Sequence, residues 1–401
     1  MTETFIARQP IFDQHMDVYA YELLFRGRDN VDDADVIDGD SATSQVLMNC
    51  FVEIGLQNIV GRHKAFINLT RTFLSNSQLL SVAPPDQLVL EVLEDIDPTE
   101  QIIETLQGLI KSGHTIALDD FVYDPKFEPF IALADIIKID VMAISREQIV
   151  EHVNRLKVKG VKLLAEKVES YEEFEFLEGL GFDFYQGYFF SRPKLVIGKT
   201  VSPNQLAVLQ LVAKINNPDV EVDELSEIIS SDVSLSHKVL KFINSPASGL
   251  RTRVESIQQA VVLLGLSTIK NWLTILALAT GSQKPAALNT TALVRAKCCE
   301  LLARSAKLLK PEGFFTVGLF STLDAMLDQP LEVLLQELPL SDEANLALLN
   351  QAGEQGQALH CALAMERNDF GIIEFGGLGI SELSALYLEA LAWADELSNS
   401  F

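Results

Sequence analysis

The chain is short of positive charge, cysteine, histidine and long apolar runs, and each shortage closes off a class of function. Lys and Arg number 31 against 56 Asp and Glu, a formal charge of −25. That balance argues against DNA or RNA as partner, because a phosphate backbone meets net repulsion. A phosphate-bearing ligand must then be received locally, by metal ions or by a few Lys and Arg. The four cysteines (Cys50, Cys298, Cys299 and Cys361) show no metal-ligand spacing, and adjacent Cys298 and Cys299 are poor disulfide partners. No uninterrupted apolar stretch reaches the ~18 residues that span a bilayer. The start Met1-Thr-Glu-Thr4 lacks the basic-then-apolar order of a signal peptide. A reduced, cytoplasmic protein without membrane contact is expected.

What is present is ample core material, with 48% hydrophobic and 22% charged residues over 401 positions, a length that suits two domains. Phe5–Phe12 and Val18–Arg26 are strand-like runs separated only by Asp13–Asp17, too short a link for a crossover helix, so they are expected to pair antiparallel. Short apolar strands then alternate with helical patterns: Ala65–Thr70, Leu88–Leu93, Thr115–Phe121, Ile136–Asp140, Lys162–Val168 and Phe182–Phe190, with helices over Pro98–Ser112, Ser145–Lys159 and Ser170–Leu180. The alternation predicts a parallel sheet with helices outside. Eight strands in under 200 residues predict a closed (β/α)8-type barrel with one antiparallel strand, an open doubly wound sheet being the competing topology.

Polar residues recur once per buried strand: Glu22, Asn68, Glu91, Asp119 with Asp120, Lys138, Glu166 and Gln186. Each has an ordinary local reading, such as a turn cap or a lysine partner. Their joint recurrence has none, and clustered carboxylates need a compensating cation. Oxygen ligands suit Mg²⁺ or Mn²⁺ rather than Zn²⁺, and two such ions suit phosphodiester hydrolysis. Lys138 is a candidate to hold or deprotonate the attacking water. A Schiff-base lysine is the rival chemistry, disfavoured because neighbouring carboxylates raise a lysine's pKa.

These motifs carry a resemblance. Arg8-Gln-Pro-Ile11, Glu22-Leu-Leu-Phe-Arg26, Asn68-Leu-Thr70, Glu91 with Glu94, Asp119-Asp-Phe121, Lys138-Ile-Asp140, Ala165-Glu-Lys-Val-Glu169 and Gln186-Gly-Tyr188 with Arg192-Pro193 resemble, in order, the motifs of the EAL domain family. That family comprises bacterial phosphodiesterases that open cyclic di-GMP to the linear dinucleotide. The resemblance implies metal ligands at Glu22, Asn68, Glu91, Asp119 and Asp120, with Lys138 and Glu166 serving the water. It also implies substrate contacts or orienting roles for Gln9, Arg26, Asp140, Glu169 and Gln186, and a loop anchor at Glu94. Two departures stand out: the loop after the aspartate pair reads Val122-Tyr-Asp-Pro-Lys126, without the family's glycines, and Lys167 stands where a glycine is usual. Hydrolysis and nucleotide binding without turnover, as a receptor or scaffold, both stay open at this level.

From residue 198 onward the strand rhythm stops and helical spacing takes over. Helices are expected over Gln205–Ile215, Val222–Ile229, Ser234–Ile243, Ile257–Leu264, Thr268–Leu278, Thr290–Leu309, Phe314–Leu327, Leu331–Gln336 and Ser381–Leu397, with starts at Pro203 and Ser267 and a stop at Gly265. Ser234–Pro246 and Ile257–Gly265 resemble the HDOD family, helical relatives of the HD metal-dependent phosphohydrolases. Gly318-Leu-Phe-Ser-Thr322 stands where an active HD enzyme carries its metal His and Asp, and only His237 and His360 remain in this half. The resemblance implies a non-catalytic module that binds a protein partner. The expected organisation is therefore a barrel over 1–197 and an all-helical HD-related domain over 198–401, with cyclic di-GMP as ligand and a homodimer as one assembly open to it.

Overall fold

The computed structural model describes residues 4–27, 55–69, 85–191, 203–217, 220–230, 239, 241, 243–244, 254, 256–281, 284–367, 369 and 374–398. Backbone contacts divide the chain into two units, Met1–Phe190 and Ser191–Phe401.

The first unit is a closed barrel whose strands follow chain order. β1 (Thr4–Asp13) and β2 (Val18–Gly27) form the expected hairpin, turned by Asp13: its carboxylate accepts from the His15 and Asp17 amides, and its own N–H donates to the Asp17 carbonyl. β1 is antiparallel to both its neighbours, β2 and the last strand, so the single reversed strand sits at the barrel's closure. The parallel members are β3 (Lys64–Leu69), β4 (Leu88–Val92), β5 (Thr115–Leu118), β6 (Ile136–Asp140), β7 (Lys162–Glu166) and β8 (Phe184–Gln186).

Between them lie α1 (Leu56–Val60), α2 (Glu100–Lys111), α3 (Glu128–Ile131), α4 (Arg146–Lys157) and α5 (Tyr171–Leu180). α4 and α5 each open on a capping box, Ser145 with Gln148 and Ser170 with Glu173, which satisfies amide groups that a helix start leaves bare. The open-sheet alternative does not hold, because β8 closes onto β1. Several strands end earlier than their apolar runs: Phe121 leaves the ladder after Leu118, and Phe189 and Phe190 form a 3-10 turn rather than strand.

Inside the barrel, Ile11, Ala20, Phe66, Val89, Ala117, Ile136, Leu164 and Phe184 form one buried cluster, with a single residue from each strand. Side chains on a strand return to the same face every second residue. This apolar layer therefore fixes what stands directly above it.

The second unit is helical throughout its described residues: α6 (Pro203–Asn216), α7 (Val222–Ser230), α8 (Ile257–Leu264), α9 (Leu266–Gly281), α10 (Ala286–Ser305), α11 (Pro311–Phe320), α12 (Leu323–Leu327), α13 (Leu331–Leu335), α14 (Asp342–Asn350), α15 (Gly353–Glu366) and α16 (Ile380–Ser398). Gly265 ends α8 at φ +87 as expected, but α9 begins at Leu266, one residue before the expected start at Ser267.

The helix expected over Phe314–Leu327 is broken in two. Ser321 Oγ donates to the Gly318 carbonyl and Thr322 Oγ1 to the Leu319 carbonyl, diverting groups that would continue the ladder. Gly318 itself is a contact point: a Cβ there would lie 2.5 Å from the Arg295 carbonyl oxygen, so only glycine lets α11 pack so closely on α10. The segment expected as helix over Ser234–Ile243, including His237, lies largely outside the described residues. α14 and α15 were not expected from the sequence. Among the described residues no single helix is long and apolar enough to cross a membrane.

Candidate active site

Two residues beyond the apolar layer, toward the C-terminal ends of the parallel strands, stand Glu22, Asn68, Glu91, Asp119, Lys138, Glu166 and Gln186. On reversed β1 the same step runs backward, from Ile11 to Gln9. One polar residue from every strand therefore occupies a single level, and register confirms it: Gln9 lies opposite Glu22, and Asn68 opposite Glu91. The inner-face period places them together without any special loop.

Lys138 is at the centre and fully buried. Its Nζ lies 2.6 Å from Glu91 Oε1, 2.6 Å from Asp119 Oδ1, 3.0 Å from Glu166 Oε1 and 3.5 Å from Glu22 Oε1. Burial alone disfavours the ammonium, but the surrounding Glu22, Glu91, Glu166 and Asp119 outweigh it and hold Lys138 well above its ordinary pKa. The carboxylates pay the opposite way. Burial, reinforced by Glu22 and Asp119, holds Glu91 well above the usual range despite Lys138. Burial likewise pushes Glu166 up to about 8.

On one side, Gln186 Nε2 donates to Glu22 Oε2 at 2.6 Å and to Gln9 Oε1 at 3.0 Å, so a glutamine pair braces the glutamate. Gln186 is held in turn by Gly187, whose φ of +148 suits glycine and whose Cβ position would lie 2.1 Å from the Val168 carbonyl oxygen.

Asp120, beside Asp119, has φ +40, a conformation a non-glycine residue seldom takes. Its carboxyl is raised, first by burial and then by Asp119. Asp140 ends β6, and its Oδ1 accepts from the Met142 and Ala143 amides at 2.8 and 3.2 Å. Its Oδ2 accepts from Lys167, a contact the sequence reading did not foresee. Glu169 is half-buried, with its N–H donating to Glu173 Oε2 at 2.9 Å. The Arg26 side chain lies outside the described residues.

Glu94 is exposed on the turn after β4. The 122–126 loop is instead held from elsewhere. The Tyr123 amide donates to His152 Nε2 of α4, the Tyr123 hydroxyl to Glu128 Oε1, and Asp124 Oδ1 accepts from the Lys126 amide. Pro125 then opens a 3-10 turn. This glycine-free loop is held by side-chain hydrogen bonds, one within the loop and two to Glu128 and His152, rather than by glycine's backbone freedom.

The donor set fits a hard divalent cation. All candidate ligands are oxygen atoms, negative charge exceeds the single central lysine, and four buried oxygens (Asn68 Oδ1, Glu91 Oε2, Glu166 Oε2 and Gln186 Oε1) have no hydrogen-bond partner. Among the described residues no three His, Cys, Asp or Glu side chains are already gathered for coordination, since the Lys138 ammonium takes the central place. In the helical unit, His360 is exposed with Nδ1 2.7 Å from Gln351 Oε1, and Cys298, Cys299 and Cys361 are buried, free thiols.

Family models match an EAL domain over residues 3–193 and an HDOD domain over 203–337. An uncharacterised protein of Bacillus subtilis, YuxH, is 36% identical across 99% of both chains. The cyclic di-GMP phosphodiesterase CdgJ of Vibrio cholerae is 33% identical over 99% of this chain and 94% of its own. A manganese and cyclic di-GMP complex of BlrP1 from Klebsiella pneumoniae is 25% identical over 46% of this chain and 55% of that one, with a TM-score of 0.39. The chain belongs to the family of proteins that join an EAL domain to an HDOD domain.

Proposed function

We propose that this chain is a cyclic di-GMP phosphodiesterase, hydrolysing the cyclic dinucleotide to its linear form with two Mg²⁺ or Mn²⁺ ions. The observation that carries the reading is the polar level of the barrel, where each strand contributes one residue and unpartnered buried oxygens surround a single ammonium. When bound, the ions supply the Lewis-acid polarisation that lets water attack a phosphodiester. Glu22, Asn68, Glu91 and Asp119 would hold one ion, and Asp120 would serve the second.

Lys138, kept as an ammonium by the carboxylates around it, holds and orients the attacking water. Glu166, with a pKa of about 8, exchanges a proton close to working pH. The Gln9–Gln186 pair fixes the direction of Glu22. Gln9, Arg26, Asp140, Glu169 and Gln186 contact or orient the nucleotide.

The same proposal takes residues 1–197 as the enzymatic barrel and 198–401 as a non-catalytic helical domain that engages a protein partner. A homodimer in the cytoplasm completes it, the three buried free thiols being in keeping with a reducing compartment. Purified protein incubated with cyclic di-GMP and Mn²⁺ is expected to yield the linear dinucleotide by chromatography. Neither Glu22→Ala nor chelator-treated wild type is expected to do so. Equal turnover by Glu22→Ala overturns the assignment.

A further inference from the structure

The carboxylates of the site divide into two sets, each with its own lysine. The inner set, Glu22, Glu91, Asp119 and Glu166, surrounds Lys138. The outer pair, Asp120 and Asp140, faces Lys167, whose Nζ donates to Asp140 Oδ2 and lies 4.0 Å from Asp120 Oδ1. The backbone carries this second lysine in an unfavourable conformation: Lys167 has φ +58, in the left-handed region where glycine is at ease and a long side chain is not. Asp140 is fixed for the contact, because its other oxygen already accepts two amides. Next to Lys167 in the chain, the buried Glu166 Oε2 has no hydrogen-bond partner.

We infer that Lys167 is a tethered cation for the outer pair, competing with a divalent ion there, so that the inner set takes its ion readily and the second ion binds weakly. The inference rests on the phosphodiesterase reading and deepens it. An ammonium joined to the chain is always present at the outer pair. A free ion must displace it, and the two like charges repel within a few ångströms. The metal dependence of the reaction would then be set by a residue that ligates no metal. Lys167 is a positioning residue, acting through Asp120 and Asp140.

The test is Mn²⁺ binding to full-length wild type, Lys167→Gly and Lys167→Arg, measured without nucleotide by equilibrium dialysis with paramagnetic resonance of free Mn²⁺. Glycine suits φ +58, so Lys167→Gly keeps the backbone and removes the charge; circular dichroism checks that it folds. Lys167→Gly is expected to bind its second ion about 10-fold tighter or more, which corresponds to ~1.4 kcal/mol. The Mn²⁺ concentration for half-maximal hydrolysis is expected to fall in step. Lys167→Arg is expected to match wild type. Equal number and affinity of ions in wild type and Lys167→Gly overturns the competition and leaves the phosphodiesterase reading standing. The same gain in Lys167→Arg also overturns it, because the charge would not be the cause. Failure of all three proteins to bind Mn²⁺ overturns both this inference and the reading beneath it.

Discussion

At the scale of single residues, Lys138 decides the charge balance of the barrel interior. Replacing it with methionine keeps the volume and leaves Glu22, Glu91, Asp119 and Glu166 facing one another without a buried counter-charge. In the presence of a chelator at pH 8, Lys138→Met is expected to lose ~3–5 kcal/mol by urea unfolding, the usual cost of removing one partner of a buried ion pair. The loss should shrink at pH 5, where burial-raised Glu91 and Glu166 hold protons.

Glu166 sets a pH dependence in the wild type. Its carboxyl ionises near 4.5 in the unfolded chain and at about 8 in the fold. Between those values the folded state holds a proton that the unfolded state has released, so stability falls as pH rises through that window. Burial-raised Glu91 acts in the same direction. Chelator-treated protein should therefore have a lower melting temperature at pH 8.5 than at pH 5.5, and Mn²⁺ should offset the loss, as thermal denaturation at both pH values would record.

At the scale of elements, the site is the consequence of strand periodicity. From β2 to β8 each residue of the polar level stands two positions beyond a residue of the apolar layer, so strands that pack the barrel core also aim the polar level. This is why Glu22, Asn68, Glu91, Lys138, Glu166 and Gln186 were legible in the sequence: a lone polar residue in an apolar run has one inward place to go. Gln9 emerged only through the family motif, because its strand is reversed and its spacing runs backward. The Lys167–Asp140 contact was not legible, since it depends on a left-handed backbone that no spacing rule encodes. Nor was the break within the helix expected over Phe314–Leu327, which turns on two hydroxyls choosing backbone partners.

Two substitutions test the elements separately. Gly187→Ala forces a Cβ against the Val168 backbone and should cost ~1–3 kcal/mol, with loss of turnover as Gln186 shifts. Ser170→Ala removes the α5 cap from Glu173 and should cost ~1 kcal/mol with turnover retained. Melting curves paired with dinucleotide assays distinguish the two.

At the scale of the whole molecule, the two units have different relations to a cation. The barrel gathers four unpartnered buried oxygens on one level at its C-terminal end, while those of the helical unit, on Asn289, Asn345 and Gln355, lie on three different helices. The helical unit's buried Arg295 pairs with Glu366 through Nε and Nη2 at 2.7 and 2.9 Å. Cation binding stabilises what it binds, by ~2.7 kcal/mol at a hundred times the dissociation constant. Hydrogen exchange with and without Mn²⁺ should therefore show added protection at the C-terminal ends of β3 through β7 and little change in α10, α11 and α15.

The most direct measurement is anomalous diffraction from crystals of the protein grown or soaked with Mn²⁺. The expected result is a peak bounded by Glu22, Asn68, Glu91 and Asp119, with those carboxylates turned from Lys138 toward the ion. A map with no peak among these residues, from crystals saturated with Mn²⁺, would contradict the assignment of the barrel's polar level as a cation-dependent phosphodiesterase site.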